Sequence, residues 1–279
     1  MTLKTFPHQP AGGAPLLERL TWDTDIQTAR SGGEHRRCMR SRPRYSYEFS
    51  LDLSDELTNG HAGVLADLRS YRGDWLLPLW VHASGTSAKP TRGVDASGLC
   101  LAFYPDGQAV EVLDVVPPSV ADVVPAAPGR IVEALRIAHT HHKLASVSVS
   151  LELANHAEVV APFETNADGA LVFDFPADWS NGAEENLKDD ENRLDYGGLW
   201  AVESRYRVRT FSLNVYLHSE AEIARYRQFL FAVQGAYRPF LANPGVDEQA
   251  SQWRLNSDTV EILYEAPGLA ISKITLKQL

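Results

Sequence analysis

Three histidines in one short stretch are the most suggestive candidates for chemistry in this sequence. His139, His141 and His142 are grouped around Thr140. Neutral imidazoles bind metal ions well, but a metal site needs three or four ligands that converge. No HExxH or comparable partner motif occurs in the chain. The cluster therefore predicts surface or interface histidines rather than a metal centre.

A second candidate is the acidic stretch 181–195, which contains Asp189, Asp190 and Glu191. Carboxylate oxygens suit calcium, but the spacing of an EF-hand loop is absent. A glycosidase would need two carboxylates held about 5–10 Å apart on rigid walls. A continuous run of like charges instead predicts a solvated loop at a domain boundary.

The familiar catalytic motifs are absent from the sequence. It contains no GxSxG, GxxxxGK[ST] or GxGxxG pattern. Cys38 and Cys100 belong to no CxxC or Cys/His arrangement, which is typical of two reduced thiols. We therefore predict that the chain is not an enzyme and uses no cofactor or metal.

The chain has a net charge of −10, and one arginine-rich segment within it is locally positive. Its arginines are Arg30, Arg36, Arg37, Arg40, Arg42 and Arg44. Guanidinium groups pair well with carboxylates, so the segment could contact an acidic partner, including the 184–195 region of another copy. The candidate interface then joins these arginines to Asp189, Asp190 and Glu191. Two alternatives remain open: a channel lining past which nucleic acid moves, and a solvated loop without a partner.

The composition limits the classes of protein. The 279 residues, 44% of them hydrophobic and 22% charged, are enough for a core without disulfides or metals. The acidic balance argues against wrapping nucleic acid or docking on an anionic membrane. No signal peptide and no run of 18 apolar residues is evident, so we expect a protein made in a cytoplasm.

The first half predicts the elements that would position these groups. Alternating apolar residues predict a strand over 45–53, and helical spacing predicts a helix over 56–72 with a C-cap glycine at Gly73. Residues 75–81 predict an edge strand that contains a proline, and 99–115 predict a hairpin.

The remaining stretches are less regular. Prolines from 117 to 128 are expected to break regular structure, after which strict alternation predicts a strand over 146–153. Residues 159–164 and 170–175 predict short strands around an Asp-Gly turn. Residues 1–20 predict an extended arm or a disordered terminus.

The chain also contains an internal repeat. The sequence FSLDL at 49–53 matches FSLNV at 211–215 with an offset of 162. The same offset pairs Leu68 with Leu230 and Gly73 with Gly235, and Pro78 falls on Pro239 when one residue is deleted. Further downstream, residues 110–113 resemble residues 260–263. In the second copy, the residues with helical spacing are Ile223, Tyr226, Phe229 or Leu230, and Val233. We predict a duplicated unit of one small sheet covered by one helix, the alternative being two unrelated units with similar turns.

Several short motifs resemble a known family. The motifs are WDTDI at 22–26, SGGEHR at 31–36, RPRY at 42–45, RGDW at 72–75 and YRPF at 237–240. They look like the signature of tail-tip proteins of long-tailed bacteriophages. Leu241 departs from the pattern, since a tryptophan would be expected there.

The resemblance implies a fold and an assembly. It implies a mainly β (α+β) fold with duplicated tail-tube-like β-sandwich or barrel units, each with a flanking helix, and a strand-rich middle segment. The implied division is an extended arm at 1–20, a first tube-like domain at 21–119, the middle segment at 120–183 and a second tube-like domain at 184–279. Three chains would present six similar units, so a trimeric ring with pseudo-sixfold symmetry is favoured over a hexamer.

The same resemblance implies a role in the virion. The ring would join the tail tube to the hub and fibres of the tail tip or baseplate after assembly in the host cytoplasm. Its expected partners are itself, the tail tube protein, the tape-measure protein and baseplate hub or fibre proteins. Membranes are not expected partners, and DNA would only pass through the channel. The alternative is a carbohydrate- or receptor-binding β-protein of the virion.

Overall fold

The fold is described from a computed structural model. The described residues are 3–6, 8–11, 13–29, 33–54, 66, 68, 74–82, 98–103, 109–112, 122–132, 136–141, 144–154, 156–178, 183–193, 200–243 and 250–279.

Strands dominate the described part of the chain. In the first half they are β1 (Lys4–Thr5), β2 (Leu16–Thr28), β3 (Glu34–Ser54), β4 (Trp75–Pro78), β5 (Cys100–Phe103), β6 (Ala109–Val112), β7 (Asp122–Ile131), β8 (Arg136–His141) and β9 (Leu144–Leu153). In the second half they are β10 (Ala177–Asp178), β11 (Ala183–Arg193), β12 (Trp200–Leu217), β13 (Phe240–Ala242), β14 (Ser251–Leu255), β15 (Thr259–Ala266) and β16 (Leu269–Gln278). The prediction of a mainly β protein is confirmed.

The strands form one connected sheet network. Its main path runs β1-β4-β7-β9-β3-β2-β15-β16-β12-β10, and β11 extends it beside β12. The two halves of the chain meet where β15 pairs with β2, from Thr259 opposite Thr21 to Tyr264 opposite Leu16. The strands of the middle segment belong to this network, because β9 pairs with β3 over Ser46–Ser54.

The alternation predicted for residues 45–53 is confirmed. Tyr45, Tyr47, Phe49, Leu51 and Leu53 are all buried on one face of β3. The predicted strand over 146–153 and the hairpin of β5 with β6 are confirmed as well. Residues 80–82 form a 3-10 turn rather than the end of a strand.

One complete helix, α1 (Glu220–Val233), lies in the described residues. Its N-cap is Ser219, whose Oγ accepts from Glu222 N (3.2 Å), and Glu222 Oε2 accepts from His218 N (2.7 Å), the residue before the cap. It ends at Gln234, which has a left-handed φ of 58°. The predicted stripe is confirmed, because Ile223, Tyr226, Phe229, Leu230 and Val233 are all buried.

The predicted helix over 56–72 lies largely outside the described residues. Ala66 and Leu68 are helical, and Leu68 is buried in the core. Gly73, the predicted C-cap, lies outside the described residues.

Two expectations about irregular segments are wrong. Pro125 and Pro128 lie inside β7 rather than breaking it. Proline has no N–H, but its carbonyl still accepts hydrogen bonds. Leu79 N donates to the Pro125 carbonyl (2.8 Å), and Ala154 N donates to the Pro128 carbonyl (2.8 Å). The acidic stretch predicted as a loop contains β11, which pairs with β12 along its whole length.

The short strands predicted over 159–164 and 170–175 are also absent from a segment that the structure describes fully. One isolated bridge, Val172 to Leu241, stands in their place. The apolar side chains here pack as an aromatic cluster against α1, with Phe173 5.5 Å and Phe175 5.5 Å from the Phe229 ring. The predicted Asp-Gly turn is confirmed, since Gly169 N donates to Asn166 O (3.0 Å).

Candidate assembly interface

The two sets of candidate interface residues lie on two long β-hairpins. The first hairpin pairs β2 with β3, and the second pairs β11 with β12. The arginines from Arg36 to Arg44 lie on β3, and Arg30 lies outside the described residues. Asp189, Asp190 and Glu191 lie on β11, where the structure describes the backbone. The described strand pairs do not bring the two sets together within one chain.

Arg36 differs from the other arginines because its side chain is only 4% exposed. Its guanidinium donates to Glu34 Oε2 from Nε (2.9 Å) and Nη2 (2.6 Å), and to the carbonyl of Ala236. Lys277 also binds Glu34. These contacts attach the end of the first hairpin to the turn after α1, so Arg36 has an internal structural role.

The charged side chains around Glu34 shift the pKa of its carboxyl group. Burial alone would raise the pKa of the Glu34 carboxyl, but the hydrogen bonds from Lys277 and Arg36 outweigh it and hold the pKa below 4.5. The carboxyl group is therefore charged in the folded protein at neutral pH.

Arg40, Arg42 and Arg44 line an open groove of about 670 Å³ together with Arg130. Asp74 and Glu152 are its only acidic lining residues among those described. Arg130 pairs with Glu152 at 3.5 Å, and Arg40 pairs with Asp23 at 3.7 Å, both on the surface. Surface ion pairs of this kind are weak, so the groove remains a positively charged face suited to carboxylate or other anionic groups. Arg37 is exposed on the same strand outside the groove.

A buried ionic network lies beneath the groove. Tyr45 lines the groove, and its hydroxyl donates to Glu158 Oε2 (3.4 Å). Arg227 of α1 binds both Glu158 and Glu18 of β2. Arg227, Glu18 and Glu158 each expose 2% or less of the side chain.

Tyrosine hydroxyls complete this network. Tyr47 donates to Glu18 Oε1 (2.9 Å), and Tyr264 donates to Glu18 Oε2 (2.9 Å). Burial and the negative charge of Glu18 raise the pKa of Tyr47 well above its usual range. Burial disfavours the charge of Arg227, but Glu158 and Glu18 more than compensate and raise its pKa. The network therefore keeps Arg227 charged and Tyr47 protonated, and it joins three distant stretches of the chain.

The first resemblance motif, WDTDI, docks on the second half of the chain. Asp258 Oδ2 accepts from Thr24 N (2.7 Å), and Asp258 Oδ1 accepts from the Thr24 hydroxyl (2.8 Å) and from Ala236 N (2.9 Å). The ring of Trp22 packs edge-on against Phe231 of α1, with centroids 6.0 Å apart. These motif residues therefore stabilise the attachment of the first hairpin.

Sequence reasoning missed the buried polar residues Glu18, Glu158, Arg227 and Asp258. One signal was present for Arg227, because it lies four residues after Ile223 on the apolar face of α1. Glu18 gave a similar signal, since it lies between Leu16 and Leu20 on one face of β2. Neither signal identifies the partner.

His139 and His141 of the histidine cluster lie on β8, where the ladder shifts register between them, and His142 lies outside the described residues. Among the described residues, no group of three or more His, Cys, Asp or Glu side chains could hold a metal ion. No helix in the described part of the chain is long and apolar enough to cross a membrane.

A search of protein-family models finds no match to this chain, and a search of curated proteins finds no significant relative.

Proposed function

We propose that this chain is a structural ring component of the tail tip or baseplate of a long-tailed bacteriophage, built from two similar tube-like units. In this proposal the ring surrounds a channel and joins the tail tube to the hub and fibres. Its location is the virion, and its partners are the tail tube, tape-measure and hub or fibre proteins.

The observation that carries the proposal is a pattern of strand pairs that occurs twice. In the first half, β3 pairs with β2 and β9, β9 also pairs with β8 and β7, and β7 pairs with β4. In the second half, β12 pairs with β11 and β16, β16 also pairs with β15 and β14, and β14 pairs with β13. Every pair is antiparallel, and the order along the chain is the same.

The sequence repeat supports the same correspondence. FSLDL lies on β3 and FSLNV lies on β12, the equivalent strand. Phe49, Leu51 and Leu53 are buried on the first, and Phe211, Leu213 and Val215 are buried on the second. Helical residues follow each strand, at Ala66 and Leu68 in one half and in α1 in the other.

The downstream part of the predicted repeat is wrong in detail. Residues 110–113 fall on and after β6, whereas 260–263 fall on β15, and these strands have different partners. Pro78 is the last residue of β4, whereas Pro239 precedes β13. The hairpin of β5 with β6 is an addition to the first half, and it shifts the alignment beyond β4.

The groove gives independent support for an assembly role. An exposed face with Arg40, Arg42, Arg44 and Arg130 suits an acidic neighbour in a particle made of many chains. The buried carboxylates Glu18 and Glu158 are fully engaged by Arg227 and tyrosines, so they are not presented to a substrate.

The described side chains do not favour the alternative of a carbohydrate- or receptor-binding protein. Among the described side chains, Trp22, Trp75 and Trp253 are buried, and Trp80 is partly buried. A glycan site usually presents exposed aromatic rings, and no such cluster occurs in the described part of the middle segment.

Immunogold labelling tests the proposed location. Antibodies against the purified chain are applied to tailed particles from the culture that expresses it, and we expect gold at the end of the tail away from the head. Label on heads, or particles that lack the chain, would contradict the proposal.

A further inference from the structure

The junction between the two halves of the chain predicts how copies join. The strand β2 has β3 on one side and β15 on the other. By the correspondence above, β11 is the second-half equivalent of β2, and β8 is the first-half equivalent of β15. We propose that β11 of one copy pairs antiparallel with β8 of the next copy, repeating between chains the β2–β15 junction within one chain. This inference rests on the proposed duplication and ring.

Both strands have an unused edge in the described structure. Of the described strands, only β12 pairs with β11, and only β9 pairs with β8. The two strands lie off the main sheet path, with β11 beside β12 and β8 beside β9, so the two edges are in different halves of the sheet. Unpaired strand edges promote association, and a ring removes them by closure.

The register of the new junction follows from the existing one. Glu18 faces Tyr47 in the first half, and Glu185 faces Arg209, which lies 162 residues after Tyr47. Position 18 of β2 is therefore equivalent to position 185 of β11. Both strands also shift register at equivalent places, after Thr21 and after Lys188.

The same step aligns β8 with β15. Ile137 faces Val147 on β9, and Val147 corresponds to Ile274 on β16, because they face the equivalent residues Leu51 and Leu213. The β15–β16 ladder begins with Glu261 opposite Lys273, and its extension by one residue places Val260 opposite Ile274. Because Val260 pairs with Leu20, position 137 of one copy should pair with position 187 of the next. The junction then places Ile137 opposite Leu187, just as the chain places Val260 opposite Leu20.

The neighbouring positions are chemically compatible with this register. Ala138 would lie opposite Asn186, and His139 opposite Glu185. The charges of Arg136 and Lys188 would meet at the end of the junction, where solvent can screen them. A slip of one residue would put Ile137 opposite a polar asparagine and reverse the face on which every side chain lies.

Cysteine cross-linking tests the register directly. Cys38 is replaced by serine, Cys100 stays because it is buried, and the matched pairs Ile137→Cys with Leu187→Cys and Ala138→Cys with Asn186→Cys are built. The control pair, Ile137→Cys with Asn186→Cys, is slipped by one residue. Disulfides need Cβ atoms about 3.5–4.5 Å apart, so at least one matched pair should give about fivefold or more intermolecular product than the control on mild oxidation.

Two results would overturn the junction. One is equal product from the matched and slipped pairs, and the other is no product from either matched pair. Hydrogen exchange on the unmodified chain gives an independent measurement. Amides of 136–141 and 183–188 should gain protection together in the assembled protein relative to dilute monomer, and protection elsewhere without these segments would count against the junction.

The mass of the cross-linked product separates this inference from the ring proposal. If the product of a matched pair grows no further than a closed trimer, the result supports both the junction and the ring. Open chains of increasing length support the junction and contradict the ring. Rings in native mass spectrometry without cross-linking of either matched pair contradict the junction and leave the ring standing.

Discussion

At the scale of single residues, the most consequential group is the buried cluster around Arg227. One guanidinium compensates two carboxylates that reach it from β2 and from the segment after β9. Buried charges are tolerated only when paired and hydrogen-bonded, so removing one partner costs more than the pair itself contributes. A substitution in this cluster should therefore show in the stability of the protein how strongly the cluster joins the two halves of the chain.

Replacing Arg227 by methionine should destabilise the chain by about 3–5 kcal/mol, because Glu18 and Glu158 lose their compensating charge. Urea unfolding measures this change. The matched control is Arg225→Met on the same helix, whose partner Asp174 is 2.7 Å away with both side chains about half exposed. The control should cost less than about 1 kcal/mol, and similar losses for both variants would contradict the assigned role.

The Glu34 carboxyl predicts a specific dependence of stability on pH. Its pKa is lowered in the folded state, so its stabilising effect is present above about pH 4.5 and is lost as the pH falls through the lowered pKa. The difference in unfolding free energy between the wild type and Glu34→Gln should be constant near neutral pH and shrink in acid. Parallel measurements on Glu48→Gln, an exposed ion-pair residue, provide the control. A difference that grows in acid would contradict the assignment.

At the scale of elements, the turn after α1 is where the first hairpin attaches. Asp258 joins Thr24 to Ala236, and Arg36 reaches the carbonyl of Ala236 from β3. Gly235 makes the close approach possible, because its φ is +66° and a Cβ there would lie 2.6 Å from Asp258 Oδ1 and 2.9 Å from Trp22 Cβ. The contact between the first hairpin and the turn after α1 therefore requires a residue without a side chain at position 235.

Gly235→Ala should consequently be more costly than an alanine at an open glycine of the same conformation. Gly169 has a φ of +76° and no atom within 4 Å of a built Cβ, so Gly169→Ala carries only the backbone strain of about 1–2 kcal/mol. Thermal unfolding should show that Gly235→Ala loses at least about 2 kcal/mol more. Equal losses would mean that the hairpin is not held against this turn.

At the scale of the whole molecule, the sheet is continuous across the predicted domain boundaries. The six-residue register of β2 with β15 and the ionic cluster both cross between the halves. The boundaries at 20, 119 and 183 remain predictions, although β2 already begins at Leu16. Two units that share a sheet and a buried charge network are expected to unfold together.

The expected result is a single unfolding transition, with tryptophan fluorescence and far-ultraviolet circular dichroism coinciding in urea. The cause is that neither half can lose its packing without exposing Glu18 or Arg227. Two separated transitions would contradict this view. In that case, Arg227→Met would not change the difference between the two urea midpoints.

Local patterns in the sequence predicted the elements whose signal lies within a few residues. The alternation in β3, the alternation in β9 and the stripe of α1 all arise because one face of each element is buried. The loop predicted for the acidic segment is wrong, because a run of charged residues indicates only exposure to solvent. The formation of β11 depends on its pairing with a distant strand, β12. The prediction that Pro125 and Pro128 break regular structure is wrong for a similar reason. Their carbonyls accept hydrogen bonds from residues elsewhere in the chain.

The sequence by itself determined the mainly β class, the position of α1 and the presence of an arginine segment in an acidic chain. Only the tertiary structure decided which arginine turns inward, since Arg36 binds Glu34 while Arg40, Arg42 and Arg44 line the groove. It also decided that Glu18, Glu158 and Arg227 meet, although they are separated by up to 209 residues. Burial of one face is encoded by local periodicity, but the partner of a buried charge depends on how distant segments pack.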